Sequence, residues 1–170
     1  MKTIYECSHG KSIKWVTFYF LLVVSACIVW EVWSVSTTGN WLTAVLVIAL
    51  LLAVLLLCFM VYPQYVIADE EGLGIHTLLR TIRIPYADIE RIERAPEDFM
   101  SGMGAIRFFG IGGVLGYIGL FRTKGYGTYI AYVTDRTKAF IIHRKNGRPI
   151  AISVAEPDEF MPYFLKGGDK

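Results

Sequence analysis

The side chains of this 170-residue chain that are able to do chemistry do not gather into a catalytic pattern. His9, His76 and His143 are isolated, with no histidine, cysteine or carboxylate at metal-ligand spacing. Cys7, Cys27 and Cys58 show no such spacing either, and two of them lie in apolar runs, where cysteine acts as a small hydrophobe. The acidic run Asp88, Glu90, Glu93, Glu97 and Asp98 is interleaved with Arg91 and Arg94, as on a solvated strand face, and not arranged as paired acid–base carboxylates. Tyr126, Tyr129 and Tyr132 with Arg136 and Lys138 have the residue types of a single-strand nucleic-acid platform, but their alternation is that of a half-buried strand. Gly110, Gly112, Gly113, Gly116 and Gly119 do not form GxGxxG, and no Lys-Ser/Thr pair follows to hold a phosphate. GxSxG, HExxH and CxxC are absent. The expectation is a non-enzymatic protein with no metal, no cofactor and no nucleic-acid partner. What remains is a basic group near the glycine-rich stretch, Arg107, Arg122 and Lys124, suited to lipid headgroups or to an acidic segment of a partner, or serving as ordinary surface charge.

The elements that must position these residues begin with two apolar runs. The chain is 54% hydrophobic and 19% charged, with mean hydropathy +0.45, which is too apolar for an ordinary soluble domain and too charged for a chain that is all membrane. Residues 41–62, WLTAVLVIALLLAVLLLCFMVY, carry no charge. At a rise of about 1.5 Å per residue they are long enough to cross a hydrocarbon core of about 30 Å. Residues 15–33 form a second apolar run that contains only Glu31, placed near its end where it reaches water; the sharper reading of Glu31 is an intramembrane functional carboxylate. This first run is too long for the core of a signal peptide, has aromatics at both ends, and lacks an Ala-x-Ala site after it. Trp15, Trp30, Trp33, Trp41 and Tyr62 are placed as anchors at the membrane–water interfaces.

The polar residues 34–40 join the runs as a short external turn without bases, so the runs form an antiparallel hairpin. Lys11 and Lys14 precede it, and Arg80 and Arg83 follow it. The positive-inside rule puts both termini in the cytoplasm, with 1–14 as a cytoplasmic start. Pro63 ends the second helix. The remainder, 63–166, reads as about seven short strands with a four-residue tail, 167–170. Arg80 to Ile84 and Ile89 to Ala95 alternate, Asp69-Glu70-Glu71-Gly72 is a turn, and Asn146-Gly147 marks a type I′ hairpin. Residues 96–104 form a loop. Residues 105–121 read as a glycine-rich apolar strand and loop near the membrane surface or under the helices, and residues 156–166 as a short amphipathic helix. Strands followed by one helix suggest an antiparallel barrel plugged at one end.

GLGIHT, RIPYADIERIE, RFFGIGGVLGYIGLF and YIAYVTDRTKAFIIHRKNGRPIAISVAEPDEFM, over about residues 65–166, together resemble the pleckstrin-homology (PH) domains of small bacterial membrane proteins with an N-terminal two-helix hairpin. The resemblance implies a PH-like all-β/β+α barrel with a C-terminal helix, a bacterial inner-membrane setting, and a binding scaffold in place of an enzyme. Lipid-binding eukaryotic relatives carry bases at the first hairpin turn. Here that turn is Asp69-Glu70-Glu71-Gly72, so a phosphoinositide is not expected. The leading expectation is a membrane-anchored interaction or assembly module whose partner is itself or another membrane protein. The alternatives are a lipid-surface sensor and a subunit of a transport or enzyme complex.

Overall fold

The computed structural model describes residues 3–8, 10–96, 99–100 and 105–161. His9, Glu97, Asp98, part of the 96–104 loop, the end of the expected C-terminal helix (162–166) and the tail 167–170 lie outside the described residues. Two helices, α1 (Lys11–Thr38) and α2 (Trp41–Met60), stand beside a β domain with a short helix over residues 157–161. They are about 42 and 30 Å long at 1.5 Å per residue.

The first five residues of the expected 34–40 turn are helical instead. Hydroxyls explain the difference. Ser36 donates to the Trp33 carbonyl, and Thr37 and Thr38 donate to that of Ser34, so the polar side chains are satisfied inside the helix. Gly39 at φ +68° then ends α1 with its N–H on the Val35 carbonyl, and Asn40 completes the reversal. Only Ile13, Val24 and Ala44 are buried in the two helices; Phe18, Leu22, Val29, Leu46, Leu50 and Phe59 are among many side chains left open.

The strands form two sheets. The four-stranded sheet is β1 (Thr3–Glu6), β2 (Pro63–Ala68), β3 (Gly72–Thr77) and β4 (Thr81–Pro85), in that order. The six-stranded sheet contains β5 (Ile89–Arg94), β6 (Ala105–Gly112), β7 (Tyr117–Thr123), β8 (Gly127–Val133), β9 (Ala139–Arg144) and β10 (Ile150–Ser153), in the order β5-β9-β10-β8-β7-β6. The PH-like β fold of the sequence reading is present, with three refinements. Residues 3–6, read as a polar start, form an edge strand. Residues 105–121 are a two-stranded hairpin. β10 lies parallel to β8 rather than antiparallel.

β1 and β2 are antiparallel neighbours, with Thr3 opposite Ala68 and Glu6 opposite Tyr65. The whole helical hairpin is therefore inserted between two adjacent strands of one sheet. The chain leaves the domain at Glu6 and returns to it at Pro63.

Side-chain alternation along the strands builds two cores. Between the sheets, Val66, Leu73, Ile75 and Ile84 meet Phe140, Ile142, Ile150 and Ile152, with Tyr5 and Phe160 closing one side. On the opposite face of the six-stranded sheet, Phe121, Tyr129, Ala131, Val133 and Ile141 are covered by Phe99 and Met100. Each fully buried large apolar side chain contributes about 1.5–3 kcal/mol.

The β9–β10 connection departs from a type I′ turn. Gly147 has φ +128°, but Asn146 does not have positive φ. The longer loop is held from outside by Asp88, which accepts from the Arg144 Nε at 2.6 Å and the Asn146 N–H at 3.0 Å. The Asp88 carbonyl accepts from the Lys145 N–H. The Arg144 hydrogen bond, with that of Asn146, holds the Asp88 carboxyl below the usual carboxylate range. The stabilisation from this depressed pKa is present above the unfolded carboxyl's pKa and disappears as pH falls through the folded one. Asp88→Asn is expected to lower the melting temperature at neutral pH and to converge on wild type under acid conditions. A difference in melting temperature independent of pH would show that charge at Asp88 is not responsible.

Candidate interaction surface where the helices meet the domain

Both helices are fastened to the domain near their domain-side ends. The segment before α1 is held by a polar clasp. Ser8 donates to Asp135 at 2.9 Å, the Gly10 N–H donates to the Thr134 carbonyl at 2.9 Å, and the Thr134 hydroxyl donates to the Ser8 carbonyl. Asp135, only 8% exposed, also accepts from the N–H and hydroxyl of Thr137. Ser153 accepts from the Thr134 and Asp135 N–H groups. In sequence Thr134 reads as the end of a strand and Asp135 as part of the turn after it. Their partners before α1, Ser8 and Gly10, lie more than a hundred residues away, so no local signal marks the clasp.

The β6–β7 hairpin supplies a second fastening. Its tip is closed by the Gly113 N–H on the Gly116 carbonyl, and the Leu115 N–H donates to the Thr17 hydroxyl at 2.9 Å. Leu115 has φ +58°, a left-handed conformation held by this contact with α1. A β-carbon on Gly113 would lie 3.4 Å from Val16. The third fastening is the β3–β4 turn, where the Leu79 N–H meets the Met60 carbonyl at 3.3 Å, at the end of α2. Leu78 and Leu79 on this turn are both more than half exposed.

Gly110 and Gly119 face each other in the hairpin at φ +121° and +133°. A β-carbon on either would lie 2.1–2.2 Å from the opposite strand's carbonyl oxygen, so only glycine lets the strands meet there. The register slips between Arg107 and Phe109, a bulge at Phe108. Beyond it stand the most open apolar residues of the domain: Phe109 is 81% exposed, Ile106 58% and Phe108 57%.

The sequence-predicted bases are placed along the same hairpin. Arg107 pairs with Phe121, Arg122 with Ile106, and Lys124 follows in the β7–β8 turn. All three lie toward the end away from the tip, with Arg107 and Arg122 on opposite faces. The Arg107 guanidinium folds along the strand toward Gly112. Of the expected anchors, Trp15 and Tyr62 lie at the domain ends of the helices. Trp30, Trp33 and Trp41 lie at the turn end, with the Trp30 and Trp33 rings 5.5 Å apart.

The chemistry-capable residues disperse. His76 stacks on Tyr65 at 4.5 Å in the four-stranded sheet, whereas His143 bonds Glu93 at 2.8 Å in the other. Tyr129 is buried in one core and Tyr132 is packed against the other. Burial pushes the Cys7 thiol up to about 12. Among the described residues, no three His, Cys, Asp or Glu side chains converge as a metal site.

Residues 64–166 match a family model described as a bacterial PH domain. No curated protein and no solved structure matches the chain.

Proposed function

This chain belongs to the bacterial PH-domain family, and we propose that it is a non-catalytic, membrane-anchored interaction or assembly module. In this reading α1 and α2 cross the inner membrane, both termini are cytoplasmic, and the PH domain is held against the cytoplasmic leaflet. The observation that carries it is the insertion of two long, open-faced apolar helices between adjacent strands β1 and β2. In water, that much uncovered Leu, Val, Ile and Phe surface would drive aggregation. In a bilayer it is the correct face. The β1–β2 pairing also requires the N-terminal strand and the domain to be on the same side, as two crossings give. Lys11 and Lys14 at the start of α1 favour the cytoplasm for that side.

A domain fastened to its anchor at three places does not swing freely. It presents fixed surfaces to a neighbour in the membrane, either another membrane protein or a second copy. The test uses cells expressing the full chain. Carbonate washing is expected to leave it in the membrane fraction. Cysteines introduced at Asn146 and at Asn40 are expected to be shielded from and open to an impermeant maleimide, respectively. Release by carbonate, or labelling of Asn146→Cys in intact cells, would overturn the reading.

A further inference from the structure

We infer that the glycine-rich β6–β7 hairpin is a second membrane contact, seated in the headgroup–acyl boundary beside α1 and drawn to an anionic leaflet. The inference rests on the anchored reading and goes beyond it, because it assigns a lipid-facing role to part of the β domain.

Four observations support it. The tip is bonded to Thr17 and packed against Val16, within the first turns of α1 after Lys11 and Lys14, so it lies at the level where that helix would enter the bilayer. The leucine pair of the β3–β4 turn meets the end of α2 in the same way.

No residue from Phe108 to Phe121 is charged. The first base on β6, Arg107, folds its guanidinium back along the strand to Gly112, so its charge lies alongside the apolar section and not beyond it. Arg122 and Lys124 come later still. An apolar hairpin with a guanidinium alongside it suits the headgroup–acyl boundary, where the rings reach acyl chains and the cation reaches phosphates.

The outer part of one face, at Ile106 and Phe109, is also uncovered by protein, although Ile118 nearer the sheet is buried. Ile111/Ile118, Phe109/Leu120 and Ile106/Arg122 are register pairs on one side of the six-stranded sheet. That side continues through Ile130 and Tyr132, which pack into the inter-sheet core. No β6 side chain joins the inter-sheet core, and Phe109 is left open.

Finally, the strand edge is unsuited to pairing with another strand. The bulge at Phe108 and the left-handed backbone at Gly110 interrupt the ladder that an added strand would need. Contact is left to side chains, which suits lipid. The same edge sets the depth, because its outward backbone groups need water or headgroups and cannot lie in the hydrocarbon centre.

The experiment reconstitutes the full chain into phosphatidylcholine–phosphatidylglycerol vesicles carrying spin-labelled lipids. Cys27 and Cys58 are changed to serine; buried Cys7, with its raised pKa, stays unreactive. A bimane label is placed singly at Phe109→Cys, at Asn146→Cys in the far β9–β10 turn, or at Leu50→Cys in mid-α2. Lipid-borne quenching at position 109 is expected to exceed that at 146 several-fold, with shallow spin labels more effective than deep ones. It should weaken when phosphatidylglycerol is omitted or when Arg107 and Arg122 become glutamate. If position 109 behaves like 146 while position 50 is quenched, the hairpin contact is refuted and the anchor stands. If position 50 is also unquenched, the anchored reading fails and takes the inference with it. Protection of position 109 from both lipid quenchers and aqueous iodide would mean that a second copy covers it, which also refutes lipid contact.

Discussion

Alanine at Gly110 or Gly119 is expected to undo the β6–β7 hairpin. The added β-carbon would sit 2.1 Å from the Ile118 carbonyl oxygen in the first case and 2.2 Å from that of Phe109 in the second. Neither oxygen can move without separating the strands, because both belong to backbone. The positive φ at each position adds a penalty of its own. Together the effects should cost on the order of 4 kcal/mol, enough to lower the melting temperature of a domain this size by about 10 °C or more. Gly125 separates the causes. It has φ +100° with open space around it, so Gly125→Ala should cost only about 1–2 kcal/mol. Thermal unfolding of the detergent-solubilised full chain, followed by near-ultraviolet circular dichroism, is the measurement. Equal effects at 110, 119 and 125 would show that the strands do not approach closely.

The second large effect is expected at Tyr5. Its side chain is 7% exposed and stands edge-on to Phe160 at 5.2 Å, on a strand only four residues long. Truncating so buried an aromatic typically costs about 3–5 kcal/mol. Tyr5 is the only buried side chain of this strand, so Tyr5→Ala should loosen β1 in the sheet and leave it held by backbone bonds and the clasp. Amide exchange should then accelerate in residues 3–6 and along β2, while β8, β9 and β10 keep their protection. Asp135→Ala attacks the same segment through the clasp, stranding Ser8 and Thr137, at about 1–3 kcal/mol. Unchanged protection of residues 3–6 in Tyr5→Ala would mean that β1 is not integral to the domain. The consequence is functional, because β1 and the clasp tie the start of α1 to the domain. Losing them would leave α1 held near its base by the β6–β7 tip alone, with α2 still fastened through the β3–β4 turn.

Much of the architecture was legible because it is written in local pattern. An uncharged run from Trp41 to Tyr62 announces a helix of bilayer length. Alternation in Thr81-Ile82-Arg83-Ile84 announces a half-buried strand, and Gly147 announces a reversal. The motifs over 65–166 pointed to the PH family, and the family match covers almost the same residues. What was not legible depended on partners far along the chain. Thr3–Glu6 is too short to declare itself a strand and becomes one only because β2 offers it an edge. The hydroxyls of residues 36–38 looked like a turn until the helix supplied carbonyls for them. Asn146 looked like half of a type I′ turn until Asp88, in the single helical turn between β4 and β5, took its N–H.

The sequence alone determined two long apolar helices, a strand-rich domain after them, and the absence of any familiar catalytic motif, while the PH type rested on the resemblance of the motifs over 65–166. These follow from side-chain hydrophobicity and from periods of 2 and 3.6, which each residue expresses among its near neighbours. Only the tertiary structure decided that the helices are spliced into a β-hairpin, that Asp135 and Ser8 clasp their base, and that Phe108 and Phe109 stand on an uncovered overhang beside α1. Those outcomes depend on which strand edges remain free once the two cores have closed, a competition among distant segments that no local window of sequence contains.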